Sequence, residues 1–305
     1  MPTPPGVARK AIGIGVAKVS NDPATVLVSA ALAGAFISIA FVFYTVVTTG
    51  NEGLGWGANR LMGGIAFSLG LMLVVVNGGE LFTSSVLTVV ARMSGRITTS
   101  AMLKNWGLVY LGNAFGALGF AGLLMLGGNH EMGGGAVGAG YLAIADHKLH
   151  HGFGEAVALG ILCNFLVCLA IWMSFAARSL TDKLLAVVFP VAMFVAAGFE
   201  HSIANMFMVP MALMVKGFAG PEFWAGIGAS PADYASLTWG QFLSANLLPV
   251  TLGNILGGAG LVGMSNWFVH LRERPTAARD ERETTGAGAA PERAQSPGAG
   301  SGRRG

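Results

Sequence analysis

Asn77-Gly78-Gly79-Glu80-Leu81-Phe82-Thr83-Ser84-Ser85 and Ala197-Gly198-Phe199-Glu200-His201-Ser202 interrupt the two longest charge-poor stretches of this chain. The first lies between Arg60 and Arg92, 31 residues with Glu80 as their single charge; the second lies between Lys183 and Lys216, 32 residues with Glu200 as theirs. As unbroken helices these would measure about 47 Å, against a hydrocarbon core of about 30 Å. Each therefore reads as a broken span. Glycine permits the non-helical turn, and Thr83/Ser84 or Ser202 is expected to cap the half-helix that follows. Glu80 and Glu200 read as loop-fixing carboxylates that accept backbone N–H bonds.

Working outward, six apolar regions follow one another at 25–49, 61–93, 105–126, 152–177, 184–215 and 241–270. The fold class is an all-α membrane protein of six spans, with spans 2 and 5 broken. Composition agrees. Charged residues are 11% of the 305, hydrophobic residues 53%, and glycine alone contributes 46 positions, as in closely packed membrane helices. Such a chain is a poor soluble enzyme, nucleic-acid binder or secreted disulfide scaffold. The net charge of +3 is not gathered into a patch, so no nucleic-acid partner is expected. Cys163 and Cys168 read as small buried hydrophobes.

Six spans put both termini on one side. Arg9, Lys10, Lys18, Arg92, Arg96, Lys104, Arg178, Lys183, Arg272 and Arg274 fall on that side, with Arg60, Lys148 and Lys216 opposite, so the termini are expected in the cytoplasm. Residues 1–24 read as an amphipathic helix at the membrane surface. Residues 25–270 form the transmembrane domain. Residues 271–305, rich in Gly, Ala, Pro, Glu and Arg without apolar periodicity, read as a disordered cytoplasmic tail.

A weak internal repeat supports this division. The Gly-Glu pairs are 120 residues apart, and Leu111-Gly112-Asn113 returns 141 residues later as Leu252-Gly253-Asn254. Three spans per copy require the two copies to be inverted, which places a binding site or pathway near the midplane where the breaks meet. The half-helices beginning near Ser84 and Ala204 then aim their positive ends at the centre and favour a small anion. His201 is the intramembrane group whose charge can change near neutral pH, and Thr83 can hydrogen-bond the same guest. Asn113 and Asn254 are expected to tie the loops to neighbouring helices.

Glu80-Leu-Phe-Thr-Ser84, Lys104-Asn-Trp106, Ala145-Asp-His-Lys-Leu-His-His151, the run Ala192–Met208 and Pro249-Val-Thr-Leu-Gly-Asn254 together resemble the formate/nitrite transporter family over about residues 15–275. Within that family the resemblance is to its bacterial formate channels. It implies an aquaporin-like fold, a homopentamer with a pore in each protomer, a bacterial inner-membrane location and pH-dependent gating. It assigns His201 and Thr83 to the pore, Leu71, Leu81 and Phe82 to a cytoplasmic constriction, and Phe67 and Phe194 to a periplasmic one. Lys148, Asn164, Glu200, Asn205 and Asn254 match positions of the central loops or pore electrostatics. An aquaporin itself is disfavoured, because paired Asn-Pro-Ala motifs are absent.

The function expected is passage of formate and related small monovalent anions, with His201 able to protonate the anion and no cofactor. Lys148 would add positive potential at the mouth. Asp146, His147, His150 and His151 read as a solvated entrance rather than a metal cluster. The rivals are a proton-coupled anion symporter, a relative specific for nitrite or hydrosulfide, and, more remotely, an intramembrane hydrolase using a serine and His201. The last lacks a Gly-x-Ser-x-Gly elbow.

Overall fold

The computed structural model describes residues 2–51 and 53–272, and among these it is helical with no strand. The helices are α1 (Pro4–Ser20), α2 (Pro23–Thr48), α3 (Trp56–Asn77), α4 (Phe82–Ser85), α5 (Val89–Met93), α6 (Thr99–Leu126), α7 (Ala136–Leu149), α8 (Phe153–Ala176), α9 (Leu180–Ala196), α10 (Ser202–Phe218) and α11 (Pro221–Ile227). Then α12 (Trp239–Gln241), α13 (Leu248–Ile255) and α14 (Ser265–His270) run on through π-helical turns at Phe242–Leu247 and Leu256–Met264. Among the described residues, α2, α3, α6, α8 and the run Pro231–His270 are each long and apolar enough to cross a membrane. The pair α10–α11, bent by 111°, makes a sixth such unit if counted as one. Their outer faces carry exposed Leu111, Phe115, Leu123, Leu162 and Leu261, so this is an integral membrane protein.

The bundle packs through close backbone approach. A Cβ on Gly116 would lie 1.8 Å from the carbonyl oxygen of Ala31, and one on Gly257 would lie 2.2 Å from that of Ile161. Only glycine lets α6 seat on α2, and the C-terminal run on α8, at this distance. Both contacts bring an asparagine, one on each of the two seated elements, to the foot of a helix break.

The breaks fall at the two sequences quoted above, and they are built alike. α3 ends in Gly78 at φ 69° and α9 is followed by Gly198 at φ 77°, both left-handed positions that favour glycine. Past each turn, Phe82 N–H donates to Asn113 Oδ1 and Ser202 N–H to Asn254 Oδ1, both at 2.9 Å. The caps are thus supplied from α6 and α13, and the expectation that Thr83, Ser84 or Ser202 would cap is corrected. Ser84 Oγ instead donates to Leu81 O at 2.9 Å, and the buried Ser202 Oγ has no hydrogen-bond partner. His201 completes the α10 cap, its Nδ1 accepting from Ala204 N–H at 3.1 Å.

Two elements pack in ways the sequence leaves open. Val7, Ala8 and Ala11 of α1 are buried, because this helix packs on α5 and α8 of its own chain. The stretch between α6 and α8 is not a plain loop. It holds α7, whose Tyr141, Leu142 and Ala145 are fully buried against α10 and α2. Residues 273–305, where the disordered tail was expected, lie outside the described residues.

Candidate functional site

Where the breaks face one another, Thr83 Oγ1 and His201 Nε2 are 3.0 Å apart, and both side chains are buried. Because Nδ1 accepts the Ala204 N–H, a neutral ring carries its proton on Nε2 and donates it to Thr83. The Thr83 hydroxyl hydrogen then has no acceptor among the described residues. It is the side-chain donor of this pair left over for a guest. Cys168 steadies the loop from below, its Sγ 3.2 Å from the Thr83 carbonyl oxygen that accepts its weak S–H bond.

Both nitrogens of His201 are therefore engaged, and among the described residues no serine hydroxyl is hydrogen-bonded to the ring. That removes the arrangement a serine hydrolase needs. Most of the first-turn half-helix amides are engaged as well. Asn113 and Asn254 take those of Phe82 and Ser202, His201 takes that of Ala204, and Leu81 O takes those of Ser84 and Ser85. Among the described residues the N–H groups of Thr83 and Ile203 are the first-turn amides left without an acceptor, so an anion at the centre meets the field of these helix ends and at most one amide from each.

A cavity of about 300 Å³ opens on one side of the pair, lined by Phe67, Phe194, His147, Lys148 and His201 among others. Phe67 and Phe194 meet edge to face with centroids 6.0 Å apart, and Phe194 stacks on the His201 ring at 6.1 Å. Lys148 reaches in from α7, but its Nζ is 2.7 Å from Glu200 Oε1, so its charge is cancelled locally. Glu200 Oε2 accepts from Asn205 Nδ2 at 2.6 Å. This corrects the expected role of Glu200, whose carboxylate binds side chains and no backbone N–H. It also leaves Lys148 a weaker source of positive potential than its sequence position suggested. His150 is exposed and His151 pairs with Glu155 at 2.9 Å; among the described residues no three such groups could hold a metal.

At the other end of α3 and α9, beneath α1, a second cavity of about 360 Å³ is lined by Lys18, Glu80, Val74 and Ser84 among others. Lys18 Nζ is 2.5 Å from Glu80 Oε2, which also accepts from Ser85 Oγ at 3.1 Å. Glu80, like Glu200, is held by side chains. Leu71, Leu81 and Phe82 line neither cavity and are all buried, Phe82 against Tyr110 at 4.8 Å.

Asn164 and Asn254, counted among the pore positions, line neither cavity. Asn254 donates to Gly160 O at 2.8 Å and Glu200 O at 3.0 Å, while Asn164 donates to the Asn254 carbonyl at 2.6 Å. Asn113 does the same work in the first break, donating to Ala30 O and Glu80 O at 2.8 Å each. Nothing in the sequence points to Arg60, Tyr44 or the Lys18–Glu80 pair as part of the site. Arg60 and Lys18 read in sequence only as charges that set orientation, and no local motif marks either.

Two broken helices meeting at a buried polar pair between opposed cavities are the form of a membrane transport protein rather than an enzyme. Residues 5–268 match the formate/nitrite transporter family, and the chain belongs to it. It is 53% identical over 270 residues to the formate channel FocA of Escherichia coli K12, covering 88% of this chain and 95% of that one. To FocA of Haemophilus influenzae it is 49% identical over 247 residues, covering 81% and 87%. Among solved structures it resembles a pentameric formate channel with formate bound, at TM-score 0.79 and 52% identity over 82% of this chain and 98% of that one. It also resembles an FNT-family ion channel, at TM-score 0.72 and 27% identity over 86% and 98%.

Proposed function

We propose that this chain is a formate channel that passes formate and related small monovalent anions through a pore in each protomer of a homopentamer. The observation that carries the reading is the buried Thr83–His201 pair, with a side-chain hydroxyl hydrogen to spare, placed between two cavities. The 53% identity to a formate channel over most of the chain supports the substrate. The protein sits in the bacterial inner membrane as six spans in two inverted three-span repeats, with both termini, the helix at residues 1–24 and the tail cytoplasmic. On that orientation the α1 cavity is the cytoplasmic vestibule, and Leu71, Leu81 and Phe82 form the constriction beside it. Phe67 and Phe194 form the periplasmic one.

Formate, with a carboxyl pKa of about 4, is almost wholly anionic at pH 7, and a bare charge crosses apolar rings poorly. Helix-end fields draw the anion towards the centre, where the Thr83 hydroxyl donates to it. His201 can then protonate it, so that the neutral acid passes the rings. The structure sets a condition on that step. Loading a second proton onto the ring at Nδ1 displaces the Ala204 N–H bond, so proton delivery and the α10 cap compete for one nitrogen.

Flux of formate, acetate, lactate, nitrite and hydrosulfide into proteoliposomes at two pH values tests the reading. Formate is expected to be among the fastest, and its current is expected to persist without a proton gradient. Strict dependence on that gradient would convert the reading to a symporter. Flux of hydrosulfide or nitrite without formate would replace the substrate.

A further inference from the structure

The charges around the 300 Å³ cavity do not balance, and the imbalance lies at a residue outside the usual pore set. Lys148 is neutralised by Glu200 at 2.7 Å. Arg60, on the first turns of α3, lines the same cavity and has no carboxylate partner among the described residues. Its guanidinium is nevertheless fixed. Nε donates to Ala196 O at 2.9 Å, Nη2 to Val195 O at 3.0 Å and Nη1 to the Tyr44 hydroxyl at 3.3 Å, while Trp56 lies 5.9 Å from its carbon. Three of its five N–H groups are thereby used on neutral acceptors, and two remain. A Cβ on Gly198 would meet Nη2 at 3.0 Å, so the glycine of the second break also gives the guanidinium its room.

We propose that Arg60 is the anion-docking residue of this cavity, a substrate-selecting group for planar monocarboxylates ahead of the Thr83–His201 pair. A guanidinium held in one orientation, with its full charge and two N–H groups unspent, matches the two oxygens of a carboxylate better than a lysine already paired. The carbonyls it binds close the C-terminal end of α9, whose partial negative charge would otherwise face an incoming anion. Arg60 therefore attracts the substrate and masks a repulsive helix end with the same group. The proposal rests on the channel reading and adds to it where the carboxylate is first held.

The test is formate influx into proteoliposomes, with KM and maximal rate separated for the mouth opposite α1, and hydrosulfide as a probe with no carboxylate. Arg60→Gln removes the charge and keeps an amide that can bind a carbonyl. It is expected to raise the formate KM about tenfold with the maximal rate within about twofold, and to change hydrosulfide flux far less. Arg60→Lys keeps the charge without the fork and is expected about threefold up in KM. An unchanged formate KM in Arg60→Gln overturns the proposal. So does an equal loss of maximal rate for both probes, which would make Arg60 only a tie between α3 and α9. If Arg60→Gln does not assemble, Arg60→Lys decides, and a wild-type KM there overturns it. Wild-type protein that carries no formate at all would instead remove the channel reading, and the proposal with it.

Discussion

His201→Asn separates the two jobs of the central histidine. An asparagine is a favoured N-cap and its oxygen can still take the Ala204 N–H now bound by Nδ1 at 3.1 Å, so α10 keeps its cap. The shorter side chain no longer reaches Thr83 Oγ1, 3.0 Å from Nε2, and it cannot take up or release a proton near neutral pH. Loss of one neutral hydrogen bond at the centre is worth about 0.5–1.5 kcal/mol, which lowers formate flux about two- to thirteenfold if the histidine acts only as a donor. If it also delivers protons, the flux of wild type rises as pH falls from 8 to 5 while that of the variant follows only the bulk fraction of formic acid. The assay is stopped-flow proteoliposome uptake across that range, with thermal unfolding in detergent as the companion measurement. A melting temperature within a few degrees of wild type is expected, since the lost stacking on Phe194 is offset in part by the retained cap. An unchanged pH profile together with unchanged flux would refute any role for His201 in conduction. A large fall in melting temperature would refute the assignment of Nδ1 as a replaceable cap.

Other changes test the frame around the site. Asn254→Leu leaves Ser202 N–H, Gly160 O and Glu200 O without their partner, and at about 1–3 kcal/mol for each unsatisfied buried group it should abolish assembly, read by size-exclusion chromatography. Gly116→Ala should destabilise the α2–α6 pair by several degrees of melting temperature, because its Cβ would meet Ala31 O at 1.8 Å, whereas Gly119→Ala, with open space around it, should be neutral. Phe194→Ala, by removing one ring of the edge-to-face pair with Phe67, should raise the flux of lactate relative to that of formate. At Asp22, the Thr25 hydroxyl, then the backbone N–H groups of Thr25 and Ala24, hold the carboxyl below the usual carboxylate range. A lowered folded-state pKa means stability present above about pH 4 and lost as pH falls through the folded value. Asp22→Asn should therefore narrow the difference in melting temperature between pH 7 and pH 3.

The α7 helix shows why one element escaped the sequence. Its 14 residues are too few to span, and Gly133, Gly134 and Gly135, all at positive φ, precede it, so the stretch reads as a loop. Burial of Tyr141 against α10 is a tertiary event with no local signal. The caps escaped for a similar reason. Thr83, Ser84 and Ser202 are the local candidates, yet the asparagines on α6 and α13 win because they also tie the broken loops to α2 and α8 through carbonyls.

By itself the sequence determined that the chain lives in a bilayer, where the two long spans break, and that Thr83 and His201 stand at those breaks. Hydrophobic length and backbone propensity are properties of consecutive residues and can be read in order. Tertiary structure alone decided which charges count. Lys148 looked like the cation of its mouth until folding set Glu200 against it, and Arg60 became that cation because its partners from α9 and Tyr44 carry no charge. An electrostatic potential is a sum over neighbours in space, and Arg60 lies 136 residues from the carbonyl that holds it.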